Sequence, residues 1–154
     1  MQNNCMDFII RKKKILIWSI MVLFFGWSLY FLCQFYYNYQ RLQYMEEQTQ
    51  ALQEVVFEWK NDINMYKKTQ IGRRQITYKI KSLQEQLVKI EAQVENIKVP
   101  SKHASQKNNL IMLSNNISSS LKLTVMWLNK GDDVLGVKAK EYIDTAIELL
   151  KETK

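Results

Sequence analysis

Histidine, proline and cysteine are nearly missing from this chain of 154 residues: His103, Pro100, and the pair Cys5 and Cys33 are all there are. With no CxxC, no HExxH and no second histidine, a zinc site built from these ligands is excluded, and no metal-binding residues are assigned. A nucleophilic Cys–His pair would have to bring Cys5 or Cys33 to His103, and the two cysteines flank a long apolar block. The same separation excludes a disulfide framework. Glycine occurs four times only, and none sits in a phosphate-binding loop or a nucleophile elbow. No catalytic carboxylate pair is present either. The expectation is a protein that is not an enzyme, with no catalytic residue and no cofactor.

Charge is missing from one place in particular. Residues 15–40 carry no Asp, Glu, Lys or Arg. Ahead of them Arg11, Lys12, Lys13 and Lys14 stand against Asp7 alone, so residues 1–14 hold +3 of the formal net charge of +7. Ile15–Leu32 reads ILIWSIMVLFFGWSLYFL. About 20 such residues at 1.5 Å rise cross a hydrocarbon core of roughly 30 Å. Trp18 at one end, and Tyr30, Tyr36, Tyr37 and Tyr39 at the other, fit interfacial belts. The reading is a transmembrane helix over 15–37. Arg11, Lys12, Lys13 and Lys14 set its direction by the positive-inside rule: residues 1–14 are a cytoplasmic tail and the rest lies outside the cytoplasm. The expected location is the inner (cytoplasmic) membrane, in a single pass. A cleaved signal is disfavoured because the apolar run is long and Tyr30-Phe31-Leu32 offers no small residue before Cys33.

From 38 to 98 there is no proline and one glycine, and Gln, Glu, Lys, Leu and Ile abound. That composition predicts helix. One apolar seam runs Leu42, Met45, Leu52, Val56, Trp59, Ile63, Tyr66. A second runs Ile76, Ile80, Leu83, Leu87, Ile90, Val94, Ile97, in strictly alternating four- and three-residue steps. This is a coiled-coil pattern, and it is expected to pair with a partner helix or a second copy of the chain. The same pattern also suits the buried face of a small bundle within one chain. The seams are out of phase across the polar stretch Lys67–Arg74. Either a stammer preserves one continuous rod, or a turn at Gly72 folds two antiparallel helices into a hairpin. The rod is slightly preferred.

Residues 99–109, with Pro100, read as a linker. Residues 110–154 read as a small α or α+β module. Leu110, Leu113, Ile117 and Leu121 have helical spacing, whereas Leu121, Leu123, Val125 and Trp127 alternate as a strand does. Asn129-Lys130-Gly131-Asp132 reads as a turn, with Asp132-Asp133 capping a helix. Ala139, Ile143, Ala146, Ile147 and Leu150 have helical spacing, but 142–150 also alternates and leaves a strand open. The fold class is mainly α. Lys67, Lys68, Arg73 and Arg74 lack the interleaved aromatics of a nucleic-acid platform and read as a solvated loop. No small-molecule substrate is evident. Asn116-Ile117-Ser118 is a glycosylation sequon of the kind expected by chance.

The order of these parts resembles that of PilO and GspM, inner-membrane platform subunits of type IV pili and type II secretion. The resemblance rests on RKKK before the span, MEEQTQALQEVVFEWKNDI after it, and the heptads of IKSLQEQLVKIEAQVENI. The VPS junction and NNLIMLSNNISSSLKLTVMW complete it. It implies scaffold work in pilus assembly or protein secretion, and a C-terminal module that is half of a ferredoxin-like fold. The expected partners are the bilayer and a protein bound through the coiled coil. Two other readings stand beside it: a sensor module working through a separate transducer, and a lysis protein similar in plan to spanins.

Overall fold

The computed structural model describes the backbone of residues 2–152, and side chains from residue 16 onward. Four helices account for almost all of it: α1, Gln2–Lys67; α2, Arg73–Asn96; α3, Ala104–Lys130; α4, Asp133–Glu152. A single 3-10 turn, Ser101–His103, precedes α3. The chain divides into two compact units, Met1–Gln40 and Arg41–Lys154.

The first unit contains the uncharged stretch of α1, residues 15–40. Its large apolar side chains are exposed along their whole run, from Leu16 and Trp18 through Phe24 to Phe35. It is long and apolar enough to cross a membrane. The Ser28 hydroxyl in mid-run is satisfied locally, its Oγ donating to the carbonyl of Phe24 at 2.9 Å. Trp27 and Phe31 stack at a tilt, 5.5 Å between ring centroids.

The second unit is a helical bundle with one hydrophobic cluster. Leu52 of α1, Ile76, Ile80, Leu83 and Leu87 of α2, Leu110, Leu113, Ile117 and Leu121 of α3, and Ile143 of α4 are almost wholly removed from solvent. Of the two arrangements open at Gly72, the bundle has the hairpin. After α1 the amides of Lys68, Thr69 and Gln70 return to the carbonyls of Asn64, Tyr66 and Met65. Lys79 of α2 then reaches back to Asp62 of α1 at 2.6 Å. The left-handed residue of this turn is Thr69, φ 58°, and not the glycine. Gly72 is extended, φ −82°, and serves as the N-cap of α2.

The expected strand over Leu121–Leu128 is absent: these residues are the last turns of α3. The buried stripe of that helix is Leu110, Leu113, Ser114, Ile117, Ser120, Leu121, Thr124 and Leu128. Ser120 and Thr124 hold positions that a purely apolar count skips, so the helical period was broken and the remaining alternation looked like a strand. Residues 142–150 are helix as well, with Ala139, Ile143, Ala146 and Leu150 buried at helical spacing. No strand occurs among the described residues, so the half ferredoxin-like module is not supported.

The two expected pieces on either side of 99–109 share the bundle's cluster, and the expected linker is a short bridge inside it. Lys107 seals this bridge: its ammonium donates to the carbonyls of Glu95 and Ile97, both at 2.8 Å, where α2 ends. A cation at that position also opposes the negative end of the helix dipole. At the α3–α4 corner Gly131, φ 72°, takes the left-handed conformation, and its amide bonds to the carbonyl of Trp127 at 2.8 Å. Asp132 caps α4 as expected, its Oδ1 accepting from the amide of Val134 at 3.0 Å.

Candidate binding groove

The seven seam residues Ile76, Ile80, Leu83, Leu87, Ile90, Val94 and Ile97 are all buried in the bundle. The chain's own helices cover them, so this face is not open to a partner helix. Arg11, Lys12, Lys13 and Lys14, expected to set the direction of a span, lie on α1 where only the backbone is described; their side chains lie outside the described residues. Lys67, Lys68, Arg73 and Arg74 are exposed around the hairpin turn, as a solvated loop would be. His103 pairs through Nδ1 with Gln106 Oε1 at 2.8 Å. Asn116 is half-buried within α3. Among the described residues no group of His, Cys, Asp or Glu is arranged to hold a metal ion.

The structure brings together a different set. A groove of about 560 Å³ opens between α1, α3 and α4, at the end of the bundle that carries the hairpin turn and the α3–α4 corner. Its inner wall contains the indoles of Trp59 and Trp127. Trp59 is buried, and its Nε1–H donates to Thr124 Oγ1 at 3.0 Å. Thr124 donates onward to the carbonyl of Ser120 at 2.8 Å, and Ser120 Oγ donates to the carbonyl of Ala139 at 2.7 Å. One chain of hydrogen bonds therefore ties α1, α3 and α4 together in the interior, where an unmade bond would cost about 1–3 kcal/mol.

Trp127 is held from two further sides. Tyr66 meets it edge to face, 5.8 Å between centroids. Gly136 of α4 lies flat on the indole, and a Cβ there would come within 3.2 Å of three ring atoms. Glycine at that position lets the helix approach the ring closely. Around the mouth stand Lys60, Lys67 and Lys140, all exposed, with Asp133 and Asp144. Sequence reading missed this set because its members come from three helices and no local motif joins them. The one available signal was a pair of tryptophans, Trp59 and Trp127, in a chain otherwise poor in aromatics beyond residue 40.

A second depression, of about 500 Å³, lies at the opposite end of the bundle beside Met45, Thr49, Gln53, Gln106 and Leu110. Glu46 is its one charged lining group. Between α2 and α3, the carboxyl of Glu91 is raised above the ordinary carboxylate range. Burial is the main cause and Glu95 adds to it, while Lys122 and the Ser118 hydrogen bond pull the other way.

Comparison with protein-family models, with curated proteins and with solved structures finds no match for this chain.

Proposed function

We propose that this is a non-enzymatic, single-pass membrane scaffold, with the apolar half of α1 as its anchor and the Arg41–Lys154 bundle as its working part. The observation that supports the reading is the division of exposure along α1. Leu23, Phe24 and Phe25 stand about 70–75% exposed, whereas the bundle closes a complete core of its own. An exposed apolar run of that length requires hydrocarbon around it. The basic residues Arg11–Lys14 support a cytoplasmic N-terminus and a bundle on the far side of a cytoplasmic membrane. Assembly with other proteins would then use the outer faces of the bundle, since the Ile76–Ile97 seam is taken up internally.

Alkaline extraction and cysteine labelling test this. With Cys33→Ser in place, an impermeant maleimide should label Ser105→Cys in intact cells. Cys5 should react only after lysis, and the protein should stay in the carbonate-resistant pellet. Release by carbonate, or labelling of Cys5 in intact cells, would sink the reading.

A further inference from the structure

We propose that the groove between α1, α3 and α4 binds a small organic anion. A flat apolar body would lie against the indoles of Trp59 and Trp127, and its charged head among Lys60, Lys67 and Lys140. The volume, about 560 Å³, falls within the range of small-molecule sites, roughly 300–1,000 Å³. Walls of this kind, mostly apolar with a few polar groups at one side, are what such sites have in common. The indole wall is fixed in advance: Trp59 by the bond to Thr124, Trp127 by Tyr66 and by the flat approach of Gly136. A pre-formed wall loses little freedom when a ligand settles on it.

The charge at the mouth selects the sign. None of Lys60, Lys67 and Lys140 takes part in an ion pair or hydrogen bond among the described residues, although Asp133 and Asp144 line the same groove. The three ammoniums sit on flexible stems within one opening and remain free to close on a guest. Asp133 is partly spent, accepting a long 3.4 Å contact from Trp127 Nε1. It also stands in the first turn of α4, where the positive end of the helix dipole offsets its charge. What is left is a net positive rim over an aromatic wall. This role goes beyond scaffold work and does not depend on the orientation of the span.

Titration of the full chain in lipid nanodiscs, with empty discs as the blank, tests the proposal using 2-naphthoate and 2-naphthyl phosphate. At least one should bind saturably at one site per chain. The neutral 2-naphthamide should bind about tenfold more weakly or worse. Lys60→Gln combined with Lys140→Gln should weaken the anion by about tenfold while leaving the melting temperature unchanged. The indole N–H resonances of Trp59 and Trp127 should shift, and those of Trp18 and Trp27 should not. Four outcomes would overturn the idea: no saturable binding of either anion, equal binding of the amide, tighter binding of 2-naphthylmethylammonium, or shifts confined to Trp18 and Trp27.

Discussion

Helix α1 carries two surfaces made from the same residue types. In its first part Leu16, Leu23 and Leu32 are 63%, 71% and 65% exposed, and in its second part Leu52 is 0% exposed. The difference lies in what surrounds each leucine around the helix. Between Ile15 and Leu32 every direction is apolar, so no single face can be selected for burial. After Arg41, Glu, Gln and Lys fill the outer positions, and one stripe from Met45 through Trp59 to Ile63 turns inward. Hydrophobicity alone does not make a core; it must be confined to one side.

That contrast can be broken at either half. A charge placed in the bundle, Leu83→Asp, should have the largest effect. It buries an unpaired carboxylate where Leu83 is 2% exposed, at a cost of several kcal/mol, enough to unfold a marginally stable bundle. Circular dichroism and limited proteolysis would show the loss, while the chain stays in the membrane fraction. The reciprocal change, Leu23→Asp, should cost about 2.5–3.5 kcal/mol of insertion and reduce carbonate-resistant protein, leaving the bundle's melting unaltered. If either change crosses over to the other half, the two-unit description fails.

Smaller effects sharpen the picture inside the bundle. Thr124→Val should cost about 1–3 kcal/mol, because the buried Trp59 Nε1–H loses its acceptor. The measurement is chemical denaturation, and Trp59→Phe in the same background should recover part of the loss. Thr69→Gly should stabilise by about 0.5–1 kcal/mol, since Thr69 and not Gly72 pays for the left-handed turn. The smallest effect concerns pH. Glu91 has a folded pKa above its unfolded value, so its neutral form is the one the bundle favours. Its contribution is fully present below the ordinary carboxylate pKa, near 4.3, and is lost as pH rises through the raised folded value. Glu91→Gln should therefore flatten the melting-temperature profile across that window and raise it slightly at neutral pH.

Much of the fold was legible in the residues. The long apolar stretch of α1 could be read from an absence of charge, and the inner faces of α2 and α4 from regular steps such as Ile76, Ile80, Leu83 and Ala139, Ile143, Ala146. Whose helix would cover the α2 face could not be read, because a heptad looks the same whether a partner or the chain's own α1 and α3 fills the facing holes. α3 was misread for a different reason. Its buried stripe includes hydroxyls that are satisfied only in three dimensions, Ser120 by Ala139 and Thr124 by Ser120. The slightly preferred rod gives way to the hairpin, because nothing in the polar stretch 67–74 separates a stammer from a turn; the left-handed residue of that turn is Thr69 and not Gly72. The groove belongs to the same class of hidden feature, since Trp59 and Lys140 meet only after three helices have packed.

The hydrogen-bond chain from Trp59 to Ala139 has a consequence for how this bundle avoids its neighbours in conformational space. Antiparallel helices with evenly spaced aliphatic faces can slide past each other by one turn, about 5.4 Å, and still bury similar area. Ser120 and Thr124 mark one alignment: a shifted α4 would break the bond from Ser120 Oγ to the Ala139 carbonyl, and a shifted α1 the bond from Trp59 Nε1 to Thr124. A few buried oxygens therefore act as an index mark, selecting one alignment among several that greasy packing would accept equally well.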